Sequence, residues 1–403
     1  MRKTNTIICF TASFPYGKKE TYFETELAYL SKNFDQVIII PQYNPSGSSK
    51  QRTVPENVTV YPPSTPQGLL RVWKGVFNTA PVWFFIADLF KQKAFLHKGR
   101  LLKWVNAMLV FRSSYESTKA ILSNYPDALL YTYWAEAPLF ITAAVRDYRK
   151  IVRMHGVDFY TNRNYGYLPL RKEIYDAAQL LLPISKDITG RLHKQYHIPD
   201  EKIFLNYLGT YNPFDRIDSR TYSESEPMVL LSCSNLVLLK RVHLIIEALK
   251  NTPGDKTVIW HHFGDGPESE KLKSAALALP SNIKVIWHGR VDPATLLTFY
   301  NENRITWFLN VSQYEGLPVS IMEAFSSAIP VIATDVGGTS EIVNSTNGTL
   351  LDRDFTTSQL LYNIFHITPE QYAEKSKAAY ETWQQKFNAS INYEQLIDRI
   401  KQL

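Results

Sequence analysis

Short uncharged apolar runs alternate with helix-length segments along this chain, and then the alternation starts again. That pattern constrains the fold more than any other feature. Thr6–Phe10 (TIICF) reads as a buried strand, Thr21–Leu30 (TYFETELAYL) has the apolar spacing of a helix, and Val37–Ile40 (VIII) reads as a second strand. Strand, helix, strand opens a βαβ series. Further runs at Ala128–Tyr131, Ile151–Met154 and Leu180–Ile184 extend it into a parallel sheet covered by helices. After the polar TYNPFDRIDSRTYSESEPM the order restarts with a strand at Met228–Cys233, a helix at His243–Lys250 and a strand at Thr257–His261. A helix near Ser269–Ala278, strands at Ile283–Trp287 and Ile305–Asn310 with a helix near Pro293–Asn301 between them, and units at Ser320–Ser327 and Pro330–Thr334 complete it. The fold class is therefore α/β with two domains in tandem and a boundary between residues 205 and 227. The length of 403 residues agrees with two or three domains of roughly 150 residues each. In such a pair the cleft between domains is the expected ligand site.

Charge narrows the partners. The formal net charge is +6, yet the stretch 68–125 alone carries nine Lys and Arg against Asp88 and Glu116. Its long aromatic-rich amphipathic segments fit either ordinary helices with solvated basic faces or a surface for an anionic bilayer or a lipid-linked phosphate. No nucleic-acid reader motif accompanies the charge, so nucleic acid is not expected as a partner. Leu69–Phe90 is interrupted by Arg71, Lys74, Pro81 and Asp88 and does not read as a spanning helix. The basic N-terminus meets Pro15 and KKE before a sustained apolar segment develops, so a signal peptide is not expected. Cys9 and Cys233 each sit in a strand-like run and are expected as buried free thiols of a cytoplasmic protein.

The chemistry concentrates in Val311–Val343, VSQYEGLPVSIMEAFSSAIPVIATDVGGTSEIV. Glu315 lies in a loop after a strand. Gly316, Leu317 and Pro318 lead into a helix that carries Glu323, and the helix start offers free backbone N–H groups to a phosphate or hydroxyl. Eight residues across a loop and a helix do not fix the carboxylate separation, so the spacing does not assign a glycosidase acid–base pair. Gly337 and Gly338 suit a tight turn or a close backbone approach, and Glu341 opens a short helix. Upstream, Gly264 and Gly266 (GDG) end the VIWHHF strand, and Lys240 and Arg241 follow the strand at 228–233. His261, His262 and His288 have no cysteine cluster beside them and read as structural or nucleotide-contact residues.

The Glu-x7-Glu segment, in the context EGLPVSIMEAF followed by PVIATDVGGTSEIV, resembles the retaining glycosyltransferases of family 4 (glycosyl transferases group 1). That resemblance implies two Rossmann-like domains in the GT-B arrangement: an acceptor-side domain at 1–205 containing the basic segment 68–125, a donor domain at 206–367, and helices at 368–403 that return toward the first domain. It implies transfer of a hexose from a UDP- or GDP-sugar, as substrate, to a saccharide or lipid-linked saccharide. No metal or other cofactor is implied, and bacterial surface polysaccharide synthesis is the expected setting. Location is then cytoplasmic, with the inner face of the cytoplasmic membrane as a docking surface. Alternatives are a GT-B-like phosphorylase or nucleotide-sugar epimerase, or a noncatalytic carbohydrate-binding protein.

By the same resemblance Glu315 contacts hydroxyls of the donor hexose, Glu323 the ribose, and Gly316, Leu317 and Pro318 line the donor site with Gly264 and Gly266 nearby. Lys240 matches the lysine of a diphosphate clamp. The arginine that usually precedes it falls on Asn235, which removes one expected cation. His155 in VRMHGVDFY matches an active-site histidine, with Asp158 as a nearby acid; a packed loop histidine is the plain alternative. Gly17 and Glu24, in and after the loop PYGKKE, resemble an acceptor-side entry, although Glu24 also suits an exposed helix face.

Overall fold

The computed structural model of the protein describes residues 5–17, 20–45, 47, 49–135, 144–145, 147–161, 164–214 and 219–403. Lys18 and Lys19 of the PYGKKE loop and residues 215–218 of the polar linker lie outside them. The chain divides into two compact units, Met1–Tyr207 with Tyr393–Leu403, and Leu208–Asn392.

The first unit holds six parallel strands: β1 Thr6–Thr11, β2 Gln36–Pro41, β3 Val58–Val60, β4 Leu129–Thr132, β5 Lys150–Met154 and β6 Leu180–Pro183. Their order across the sheet is β3-β2-β1-β4-β5-β6. The first strand is thus central, and the chain winds outward to one edge before returning to build the other. Every residue of β1, β4, β5 and β6 is buried, which is why β1, β4 and β6 read as apolar runs rather than alternating ones, while β5 (KIVRM) also buries Lys150 and Arg153. The edge strand β3 (VTV) has too short a run to be found that way. Helices α1 Thr21–Asn33, α2 Gly68–Phe77, α3 Trp83–Lys91, α4 Lys98–Leu122, α5 Arg171–Ala177 and α6 Lys186–Tyr196 connect the strands. Inside this core Arg153 and Glu26 form a fully buried ion pair at 3.2 Å. Tyr131 donates to Glu26 at 2.5 Å, and Arg153 donates to the Asn206 side chain at 2.7 Å. The last residues of the chain belong to this unit: Arg399 donates to the Glu201 carbonyl and Lys401 to the Asn33 side chain, each at 2.9 Å.

The second unit repeats the plan with β7 Met228–Cys233, β8 Val258–Phe263, β9 Ile283–Gly289, β10 Trp307–Asn310, β11 Val331–Thr334 and β12 Gly348–Leu351, in the order β12-β11-β10-β7-β8-β9. Its helices are α7 His243–Leu249, α8 Ser269–Ala276, α9 Pro293–Glu302, α10 Val319–Ser326, α11 Thr339–Ile342, α12 Thr357–Phe365 and α13 Pro369–Lys386. Local chemistry sets several of the starts. Asp292 accepts from the Thr295 N–H ahead of Pro293, and Thr368 with Gln371 makes a reciprocal cap ahead of Pro369. A last helix, α14 Ala389–Lys401, carries the chain back across the division at 392. Both cysteines are free.

Candidate functional site

In both sheets the winding reverses between the first strand and the fourth, β1/β4 and β7/β10, and the carboxyl ends of strands at such a reversal are where ligands approach in α/β folds. In the second unit those strands are β7 and β10. The loop after β7 carries Lys240 and the loop after β10 carries Glu315, and Lys240 Nζ stands 2.5 Å from Glu315 Oε1. The Glu315 residue is 9% exposed, and its carboxylate also accepts from Asn310 at 3.3 Å. A backbone bond from the Gln313 N–H to the Leu239 carbonyl, 2.8 Å, locks the two loops in register.

Glycines let a third loop press onto this pair. Gly337 has φ +57°, and a Cβ there would stand 1.9 Å from the Glu315 carbonyl oxygen; the Gly338 N–H donates to the Gly316 carbonyl at 2.7 Å. On the other side Gly264, φ +130°, leaves equally little room, 1.9 Å, to the Ser234 carbonyl oxygen. A Cβ on Gly266 would meet the Leu236 carbonyl at 2.4 Å. The sequence pattern asked for a tight turn or close backbone approach at Gly337 and Gly338 and for a turn at Gly264 and Gly266, and what approaches each of the four is the chain's own backbone.

Arg241 is committed elsewhere. Its guanidinium donates to the carbonyls of Val311, Ser312 and Arg353, so it braces the loop that presents Glu315. Asn235 accepts 2.9 Å from the guanidinium of Arg290, which comes from the loop after β9. Sequence reasoning missed Arg290, because nothing local in VIWHGRVD ties it to a position 55 residues earlier. Leu317 and Pro318 are buried, and α10 starts directly after them. The Glu323 carboxylate on that helix has no hydrogen bond or ion pair among the described residues, while its backbone carbonyl accepts from the Ser326 hydroxyl at 2.7 Å. Burial pushes its carboxyl up to about 7, and its charge is felt by the Cys233 thiol at the end of β7. The three histidines are packing groups: His262 bonds Ser232 at 2.8 Å, and His261 bonds His288 at 2.9 Å with His288 stacked on Phe263.

In the first unit His155 follows β5 and is buried beside Trp134, Tyr133 and Tyr22, with ring centroids 4.3, 4.9 and 5.6 Å away. Burial, and then the Arg153 charge, hold its imidazole well below the ordinary value, so the ring is neutral. Its Nε2 lies 2.9 Å from the Tyr133 carbonyl and must carry the proton, which leaves Nδ1 as an acceptor. Asp158 receives the backbone N–H groups of His155 and Ala135 at 2.7 and 2.6 Å and ties the two loops together. Glu24 is exposed and paired with Arg52 at 3.0 Å, and Arg52 also donates to the Gly17 carbonyl. The buried carboxylate of that entry loop is Glu20, which accepts from the N–H groups of Ala12, Ser13 and Phe14 and from the Trp134 indole. Glu20 thus fills the nest of amides after β1 that an anion would otherwise occupy.

Known proteins share this plan. Residues 214–364 match the family described as Glycosyl transferases group 1. A lipopolysaccharide outer core galactosyltransferase WaaB superposes over 99% of both chains with TM-score 0.69 and 15% identity. The structure of HepE from Anabaena in complex with UDP covers 99% of this chain and 100% of its own, with TM-score 0.66 and 16% identity. This is a GT-B fold in which residues 214–364 match the glycosyl transferases group 1 model. Among curated proteins the O-antigen biosynthesis glycosyltransferase WbnH of Escherichia coli is 33% identical over 218 residues, 51% of this chain and 58% of its own length. The lipopolysaccharide 1,6-galactosyltransferase of Salmonella typhimurium is 31% identical over 96 residues, 24% of this chain and 26% of its own. The likeness to these two relatives therefore covers less than two thirds of each. In this GT-B chain the group 1 match takes in Lys240, Glu315, Glu323 and the Gly337–Gly338 loop.

Proposed function

We propose that this protein is a retaining glycosyltransferase of family 4 that transfers a hexose from a UDP- or GDP-sugar to a saccharide or lipid-linked saccharide in bacterial surface polysaccharide synthesis. The observation that carries the reading is the Lys240–Glu315 pair at the β7/β10 crossover, pressed by Gly337. The names of the relatives, O-antigen and lipopolysaccharide enzymes, support the setting.

In this reading the diphosphate of the donor lies against Lys240, the first-turn N–H groups of α10 and, through Asn235, the guanidinium of Arg290. Arg290 then replaces the cation missing at position 235. Glu323, unpartnered on α10, accepts from the ribose hydroxyls, and Glu315 accepts from hydroxyls of the hexose. The anomeric carbon–phosphate oxygen bond breaks with its electron pair leaving on the nucleotide diphosphate. The acceptor oxygen bonds to the same face of that carbon, and its proton passes to the departing phosphate oxygen. Lys240 stabilises the charge that grows on the leaving group, and Glu315 holds Lys240 in place for it. Neither glutamate forms a covalent intermediate. On the acceptor side, Trp134 and Tyr22, packed against buried neutral His155, offer an aromatic face suited to a sugar ring. No helix of the described residues is long and apolar enough to cross a membrane.

The test is a panel of UDP- and GDP-hexoses incubated with the purified protein and lipid extracts from bacteria, with nucleotide product and glycosylated product both identified by mass. Release of nucleotide diphosphate matched by a glycosylated product of retained anomeric configuration is expected. Binding of nucleotide-sugar without turnover across the whole panel would favour a carbohydrate-binding protein.

A further inference from the structure

The carboxyl edge of the first sheet holds a cavity of about 470 Å³, within the range of pockets that enclose small molecules. Its wall includes Gln42 directly after β2, Arg71 on α2, Lys103 and Asn106 on α4, and Tyr165 and Arg171 from the stretch that follows β5 and opens α5. No carboxylate is among the lining residues. Arg171 is 5% exposed, and its Nε, like that of Arg71, is buried without a hydrogen-bond partner among the described residues. The terminal nitrogens of Arg171 reach only carbonyls, Pro169 at 3.4 Å and Asp158 at 3.2 Å. Glu173, two residues further along α5, pairs through Oε1 with Lys91 at 3.5 Å, and its Oε2 is buried without a hydrogen-bond partner. Among the described residues no ion pair joins Glu173 to Arg171, and none involves Arg71 or Lys103. Even with Glu173 counted, three cations stand against one carboxylate that Lys91 already meets. The wall thus keeps unspent positive charge and two guanidinium edges that a planar carboxylate matches.

The uncharged part of the wall suits a sugar ring. Gln42 and Asn106 bring amides, which both donate and accept, as ring hydroxyls do. Tyr165 brings an aromatic surface. Its backbone is left-handed at φ +55°, its carbonyl accepts from Arg100 Nε at 2.8 Å, and its ring lies over Gly99, where a Cβ would meet it at 2.7 Å. The residue is still 57% exposed. Ring hydroxyls, an apolar sugar face and a carboxylate all find complements in this one wall, whereas a phosphate alone would leave the amides, the tyrosine and most of the volume unmatched.

We infer that this cavity binds a hexuronate, a sugar whose ring carries a carboxylate, at or next to the acceptor end of the saccharide. Arg71, Lys103 and Arg171 take the carboxylate, Gln42 and Asn106 the ring hydroxyls, and Tyr165 packs on the sugar face. The inference rests on the saccharide acceptor proposed above and gives that acceptor a charge class, and its geometry lies wholly within the first unit.

The test is isothermal titration of the full chain with glucuronate-, galacturonate- and mannuronate-terminated disaccharides, each paired with its carboxyl-reduced form, and with glucose 6-phosphate. At least one acid should bind roughly tenfold more tightly than its reduced form, the scale of a hydrogen bond to a charged group, and more tightly than glucose 6-phosphate. Arg71 and Lys103 are replaced rather than the buried Arg171, whose loss threatens the fold. Arg71→Gln and Lys103→Gln should each lower affinity for that acid about fivefold, as for one lost and partly exposed charge contact, and leave the reduced form within about twofold. Tyr165→Ala should weaken the acid and its reduced form alike. An absence of preference for any acid over its reduced form, tighter binding of glucose 6-phosphate, or unchanged acid affinity in both charge variants would overturn the site. Transfer assays with the same saccharides separate the outcomes: selective acid binding without transfer from any UDP- or GDP-hexose strikes the transferase reading alone, and transfer without acid preference strikes this inference alone.

Discussion

Lys240 Nζ and Glu315 Oε1 are 2.5 Å apart although 75 residues separate them, and only the adjacency of β7 and β10 brings them together. Both side chains are mostly buried, 24% and 11% exposed, so each is the other's principal source of charge compensation. A diphosphate placed beside Lys240 would share its ammonium with Glu315. In the proposed reaction that sharing would tie leaving-group stabilisation to the residue assigned to the sugar.

Lys240→Ala should lower the rate of transfer by roughly 2–3 kcal/mol of barrier, about a hundredfold, by removing the cation that meets the departing phosphate. Glu315→Gln should cost a similar amount in transfer while leaving UDP affinity within about tenfold, because it loses the hexose contact and not the nucleotide. Steady-state kinetics and UDP titration on variants with native circular dichroism check both; near-native transfer in either variant would remove that residue from the mechanism.

Glu323 gives a pH signature with a definite sign. Its carboxyl is raised to about 7 from an ordinary 4.5 by burial, so the folded protein holds this proton more tightly than the unfolded chain. Its contribution to stability is therefore complete below pH 4.5 and declines between 4.5 and about 7, by up to roughly 3 kcal/mol. Ribose recognition needs the ionised form, so nucleotide affinity should rise with pH until about 7 and then level. Glu323→Gln should flatten the stability slope and lower affinity at pH 8; an unchanged affinity profile would exclude Glu323 from the ribose site.

Arg290→Ala should weaken UDP binding about fivefold, near 1 kcal/mol for an exposed charge contact, and should reduce the salt dependence of binding. Asn235→Ala, which frees Arg290 from its anchor, should do the same more weakly. Isothermal titration at two ionic strengths reads both, and an unaltered salt slope in Arg290→Ala would show that position 235 has no substitute cation.

Gly337→Ala should be destabilising by about 2–3 kcal/mol, because its Cβ would meet the Glu315 backbone at 1.9 Å and its φ is +57°. Thermal melts should show the loss together with impaired donor binding, since the same carbonyl fixes Glu315. A melting temperature equal to wild type would mean the loop moves freely.

His155→Ala should reduce transfer far more than UDP binding, because the ring sits in the first unit with Trp134 and Tyr22. Since burial keeps this imidazole neutral, the transfer rate of the wild type should show no titration from it near its ordinary pKa of 6.5. Parallel kcat and Kd measurements decide; equal losses in both would point to a folding role.

The sequence by itself determined the class and order of the elements. Strands at the centre of a helix-covered parallel sheet are largely apolar, so β1, β2, β4, β6, β7, β10 and β11 could be read from their runs, and β5, β8 and β9 could be read although they carry Arg153, His261, His262 and Lys284. The glutamate and glycine positions were legible too, since close backbone approach leaves only glycine and a loop-to-helix step leaves a recognisable EGLP. Tertiary structure alone decided which partners those residues meet. Lys240 finds Glu315 across the strand crossover, Arg290 finds Asn235 from another loop, and Glu20 rather than Glu24 is the buried carboxylate of the entry loop. It also turned the apolar stripe of α2 outward, which no helical periodicity can specify, because periodicity defines a face and not what that face will touch.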